Sequence, residues 1–343
     1  MNPLSRLARA WRTATVLALA LAGLAGCDSS SRIEPYVPTR MMSFGDDLSA
    51  VNADGRKYFV NVVDSSNVVN CSAVSSWNQI VANGFGLTMP GCPVSPATPA
   101  TGFNGAVAGA RVDAIKLQVD ARLNEFVPST LVTIQGGMWD VLDAYLLAKT
   151  ATDLQPIYNQ IVTKANVLSA AVNSATRQGQ GARVVYIAVP DLGLSPLAIQ
   201  DQAAGSCGVR DCRALLTELS ARFNSIFRVG IYQEVVYGPG VTNDGRYAAF
   251  VDGEGWTRTL VASVLGDSNG TKNDVYGLDQ VTSAACPVVV GGLNDDISAC
   301  DTADLVAGVS AAAYLWAASV HPGQAWHLQV GTIALARARN NPF

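Results

Sequence analysis

Short apolar runs alternate with longer stretches of helical spacing along most of this chain. Three runs, Met41 to Phe44, Leu131 to Gln135 and Arg183 to Val189, each lead into a loop carrying glycine or aspartate and read as buried strands. Between them, Leu154 to Ala175 and Arg213 to Phe227 have the spacing of amphipathic helices. In the second, Leu215, Leu216, Leu219, Phe223 and Ile226 recur on one face. Buried strands alternating with such helices predict an α/β domain, a mostly parallel sheet covered on both faces. Gln233 to Gly238, with its paired valines, reads as a further strand. In an open parallel sheet, ligands sit outside the carboxyl ends of the strands, so the loops after these runs are where chemistry is expected.

The first apolar stretch belongs to something else. Arg6, Arg9 and Arg12 precede the run from Thr13 to Gly26, which is shorter than the ~20 apolar residues that span a bilayer. It ends in Leu24-Ala25-Gly26-Cys27, which resembles a bacterial lipobox. The expectation is a lipoprotein signal over residues 1–26 and a lipidated Cys27. A polar, proline-bearing tether follows over 27–39, then a single domain over 40–343. Several acyl chains would hold the chain to a membrane, at roughly 0.8 kcal/mol per buried methylene. Asp28 resembles the inner-membrane retention signal of enteric lipoproteins, which places the expected domain in the periplasm at the cell envelope.

Charge narrows the partners. Removing residues 1–26 takes away three arginines and no acid, so 23 basic side chains become 20 against 27 acidic ones, a balance of −7. No basic cluster runs along the chain, which argues against nucleic acid. Apart from Cys27 the cysteines number six, and an even set fits an oxidising compartment. Pairing each with its neighbour, Cys71 with Cys92, Cys207 with Cys212 and Cys286 with Cys300, closes short loops. A zinc site is the weaker reading, because no Cys-x-x-Cys occurs and the histidines are only His321 and His327.

Four blocks carry the candidate chemistry. They are Phe44-Gly45-Asp46-Asp47-Leu48-Ser49, Asn104-Gly-Ala-Val-Ala-Gly109-Ala110-Arg111, Gly136-Gly137-Met138-Trp139-Asp140 and Ala318-Ser319-Val320-His321-Pro322. Val189-Pro190-Asp191-Leu192-Gly193 and Leu219 to Asn224 lie between the last two. In this order they resemble the GDSL (SGNH) lipase and esterase family from about residue 40 to the end. The resemblance implies a three-layer, flavodoxin-like α/β/α fold and an ester hydrolase that needs no metal or organic cofactor. It also implies a general base at His321 and an oxyanion hole from Gly109, the backbone at residue 47 and the position of Trp139.

The departures matter as much as the match. Asp47 stands where the family has its nucleophilic serine, Trp139 where it has an asparagine, and Ala318 where an aspartate orients the imidazole. Ester cleavage by a triad needs an attacking hydroxyl, a base and a group that orients the base. Ser43 and Ser49 are close in sequence but are expected to point elsewhere. His327, on the final helix, reads as a structural histidine. Three accounts stay open. The site has lost most or all activity and holds an acyl or ester ligand; or Asp47 acts as nucleophile or base with His321; or ester cleavage follows a route that the pattern does not display.

Overall fold

The computed structural model describes residues 35–92, 99–178, 182–237, 247–273, 275–287 and 297–340. The expected signal, Cys27, Asp28 and the first part of the tether lie outside the described residues. The central sheet is built from β1 (Arg40–Gly45), β2 (Gly102–Asn104), β3 (Thr130–Gln135), β4 (Arg183–Ile187) and β5 (Ala248–Val251). All its pairings are parallel, in the order β2-β1-β3-β4-β5. Every residue of β3 is buried, as befits a strand with both faces covered. The three apolar runs become β1, β3 and β4.

The connecting helices are α1 (Trp77–Gly84), α2 (Val112–Asp120), α3 (Met138–Ala148), α4 (Gln155–Gln178), α5 (Pro196–Ala203), α6 (Cys212–Tyr237), α7 (Gly253–Leu265) and α8 (Gln324–Arg339). One group packs α2 on α4 and α4 on α6; the other packs α1 and α7 on α8. Sequence details set where these helices begin. Ser195 accepts the Ala198 N–H at 3.3 Å and Pro196 takes the first helical position of α5, where its missing N–H costs nothing. At α1, the Gln79 side chain accepts the Ser76 N–H at 2.9 Å, which fixes the entry of the chain.

One expected strand is a helix. Through Tyr237, the segment from Gln233 continues α6, and the fifth strand is Ala248–Val251 instead; Gly238 lies outside the described residues. By that point α6 is anchored along Leu216, Leu219, Phe223, Phe227 and Ile231, all buried. A nucleated helix gains a hydrogen bond for each added residue, which outweighs the modest strand preference of two valines.

A smaller parallel pair, β6 (Gln280–Ala284) and β7 (Tyr314–Trp316), stands beside the main sheet. Below it a second core gathers Phe59, Val60, Ala285, Ile297, Ala317 and Ala318. The Cys286–Cys300 disulfide is part of this core, and Cys71–Cys92 and Cys207–Cys212 are bonded as expected. The loop bearing His321 thus rests on a core of its own, tied by a covalent link.

Candidate active site

Asp46 and Asp47 open the turn that leaves β1. The Ser49 and Ala50 N–H groups both donate to the Asp46 carbonyl at 3.0 Å, and Leu48 N–H donates to Asp46 Oδ1 at 3.1 Å. Asp46 is fully buried; that burial, followed by the charge of Asp47, pushes its carboxyl well above the usual range. Burial thus favours its protonated form far more than for an ordinary aspartate. With its amide turned so that nitrogen faces the acid, Gln135 donates to Asp46 Oδ1 at 2.6 Å and accepts from Gly136 N–H at 3.3 Å.

Asp47 points across the carboxyl end of the sheet and behaves oppositely. Its Oδ2 accepts the Gly109 backbone N–H at 2.7 Å and the indole N–H of Trp139. Its Oδ1 lies 3.6 Å from His321 Nε2, an ion-pair separation just beyond hydrogen-bond length. Burial drives this carboxyl up, but His321, the indole and the Gly109 N–H together outweigh it and hold it below its ordinary value. Asp47 is thus an anion with both oxygens engaged.

Each donor is positioned by its own element. Gly109 adopts a left-handed backbone (φ +71°) in the loop after β2, which aims its N–H at Asp47. Arg111 secures that loop: its Nη1 donates to the Gly109 carbonyl at 2.8 Å, while its Nε and Nη2 form a two-pronged pair with Asp143 at 2.9 Å. Trp139 sits in the first turn of α3, with the Arg111 guanidinium over its ring at 5.3 Å. The ring meets the His321 imidazole edge-on at 6.1 Å. Asp140 caps α2 from α3, accepting Val112 N–H at 3.0 Å, and burial pushes its carboxyl up to about 6.

His321 comes from the loop after β7. The Ala317 and Ala318 N–H groups donate to its carbonyl at 2.8 and 3.4 Å, so the loop is a tight turn. Neither ring nitrogen of His321 has a hydrogen-bond partner among the described residues. An imidazole is ordinarily oriented by an acceptor at Nδ1, and here packing must hold it instead. Asp47 is 6 % exposed and His321 2 %, so the pair is almost closed to solvent.

The structure brings residues of the four blocks together. Asp47, Gly109, Trp139 and His321 meet, drawn from loops spread over most of the chain. Ser43 and Ser49 do not join them: Ser43 Oγ accepts from Asn78 and Ser49 Oγ from the Trp77 indole, both fully buried. His327 also stands apart. It is buried against Phe59, with ring centroids 4.6 Å apart, and its Nδ1 accepts the Trp77 N–H at 3.4 Å. Burial, with the nearby Lys57 charge, pushes its imidazole down to about 3. The Arg111–Asp143 clamp was missed in the sequence, and the only signal for it was a basic residue two positions after the glycine.

Chemically, the arrangement stabilises a negatively charged oxygen with two N–H donors and sets a histidine beside it. Asp47, Gly109, Trp139 and His321 themselves carry no hydroxyl to attack an ester, and Ser43 and Ser49 are engaged elsewhere. Among proteins already known, no family model and no curated protein matches the chain. It is similar to the crystal structure of phospholipase A1 from Streptomyces albidoflavus at 14% identity, covering 88% of this chain and 100% of that one, with a TM-score of 0.46. It is also similar to the extracellular lipase of Streptomyces rimosus, at 15% identity, the same coverages and a TM-score of 0.43. A member of the lipolytic G-D-S-L family from Veillonella parvula matches at 10% identity over 87% of this chain and 95% of that one, with a TM-score of 0.34.

Proposed function

We propose that this chain is an SGNH-type ester-hydrolase scaffold in which Asp47 takes the nucleophile's place and ester turnover is lost or very weak. The reading includes a lipid anchor at Cys27 and a place in the cell envelope facing the periplasm. There the protein would hold an acyl or ester ligand rather than cleave it. One observation carries the loss of turnover: Asp47 Oδ2 already accepts the Gly109 and Trp139 N–H groups. In a working site, such donors wait for the oxyanion that develops on the substrate. Here the protein's own carboxylate occupies them, and His321 faces that carboxylate instead of a serine hydroxyl.

The second account, Asp47 as nucleophile, requires an electrophilic carbon to approach Oδ1. Here Oδ2 is held by two N–H donors and Oδ1 faces His321 at 3.6 Å, which leaves neither oxygen free to attack. A chromogenic ester series on the wild type, Asp47→Ser and Asp47→Ser with His321→Ala separates the accounts. The expected result is an inert wild type, turnover in Asp47→Ser, and its loss when His321 is also replaced. That gained turnover should be slow, because Ala318 leaves the imidazole without an orienting partner. A wild type that hydrolyses esters and is silenced by both Asp47→Asn and His321→Ala would instead assign the chemistry to Asp47.

A further inference from the structure

A second cavity, away from Asp47, opens where the start of α8 meets the segment leading into α1. It encloses about 540 Å³, within the roughly 300–1,000 Å³ range of small-molecule sites. Val74, Ile80, Ala325 and Leu328 supply apolar wall, while Tyr276 and Gln324 bring polar atoms to it. On α8, Gln324 and Leu328 are one turn apart and Ala325 lies between them, so a single helix face forms this side of the cavity. None of its described lining residues is charged, although 15% of the chain is Asp, Glu, Lys or Arg. Leu328, a large apolar side chain, is 54% exposed there among the described residues.

We propose that this cavity binds the alkyl chain of a single-chain amphiphile with an uncharged head, such as a monoacylglycerol. The uncharged lining supplies the complementarity. A phosphate, carboxylate or ammonium entering here would shed water with no opposite charge to meet it, whereas an alkyl chain loses nothing polar. Gln324 and Tyr276, both in the lining, have side chains able to hydrogen-bond ester or hydroxyl groups. The site stands without Asp47. Gln324 follows His321 by three residues, yet the lining includes none of Asp47, Gly109, Trp139 and His321. It names where the acyl ligand of the proposed function would sit, and it does not depend on whether esters are cleaved.

The test is calorimetric titration of the full chain with 1-dodecanoylglycerol below its aggregation concentration, with dodecyltrimethylammonium as the charged comparison. Saturable binding to a single site is expected, weaker for the cationic amphiphile. Leu328→Glu, at a half-exposed position that tolerates charge, should weaken the glycerol ester by about tenfold or more. Ala312, an exposed residue that also lines the cavity, offers a second site: Ala312→Trp, which narrows it, should do the same. Val209→Glu, at a fully exposed apolar residue elsewhere, should leave binding unchanged. Absence of saturable binding, or affinity that drops equally in all three variants, overturns the proposal. Neither result touches the ester assay, so failure here and failure of the Asp47 reading are told apart.

Discussion

His327 offers the sharpest quantitative test, because a neutral imidazole sealed inside the fold must resist protonation. The perturbation is His327→Gln, which keeps a polar group near Trp77 N–H but removes the titration. In the native fold its pKa falls to about 3, against 6.5 in an ordinary setting. Between those values the unfolded chain takes up a proton that the folded chain refuses. Stability due to this group is thus complete above pH 6.5 and is lost as pH falls. The slope is ~1.4 kcal/mol per pH unit, or ~2.7 kcal/mol between pH 6 and pH 4. At 1% exposure the group is too deep for solvent screening to reduce this.

Other groups bend the wild-type curve, which is why the difference between proteins is the useful quantity. Asp46 and Asp140 have raised pKa values, so their contribution runs the opposite way and is lost as pH rises. Asp47, held low, stabilises the fold fully above the usual carboxylate range and loses that contribution only as pH drops through and below it. Lys57, pushed down to about 8 by burial, titrates above the window. Urea unfolding of both proteins at intervals from pH 4 to pH 7.5 would cancel these shared terms. Lost packing against Phe59 makes the variant less stable at pH 7 by a constant amount, and that deficit should shrink steadily towards pH 4. Curves that stay parallel within about 0.5 kcal/mol would refute a buried neutral His327.

Further outcomes follow from single contacts. Trp139→Phe keeps the ring beside His321 but removes the indole N–H from Asp47, and should cost about 1–3 kcal/mol at pH 7 by urea unfolding. The loss should diminish at acid pH, where Asp47 takes up a proton and its pull on the donor weakens. Two glycines should answer differently to alanine. At Gly137, with φ +99°, the new Cβ would lie 2.2 Å from the Phe223 ring, and a loss of ~3 kcal/mol or more is expected. At Gly109 the nearest atom is 3.9 Å away, so only the left-handed backbone is penalised, at ~1–2 kcal/mol. Replacing Cys286 and Cys300 together with serine opens a loop with a sequence separation of 14 and should cost ~3 kcal/mol under oxidising conditions.

The helices and strands were largely legible in advance because each depends on a period that a short window contains. Leu131 to Gln135 could be read as a buried strand, and Leu215 to Ile226 as one helix face, from spacing alone. The segment from Gln233 was misread for the same reason. Two valines favour a strand locally, but the helix arriving from Cys212 was already committed by contacts at Phe223 and Phe227. The disulfides were legible because neighbours in sequence are the cheapest to bring together. Within the site, the order of the blocks brought Asp47, Gly109, Trp139 and His321 into one expectation, and the structure sets these four residues near one another.

What the sequence by itself determined was the periodic framework, the chemistry available at each position, and the absence of a hydroxyl where residue 47 stands. What only the tertiary structure decided was where charge comes to rest. Asp46 and Asp47 are adjacent carboxyls, yet burial drives the pKa of one well up while His321 and two N–H donors hold that of the other down. That difference arises from Gly109, Trp139 and His321, which lie 62, 92 and 274 positions from Asp47 along the chain. The Arg111–Asp143 clamp and the uncharged cavity beside α8 have the same origin. A pKa or a cavity is a sum over neighbours in space, and those neighbours exist only once the chain has folded.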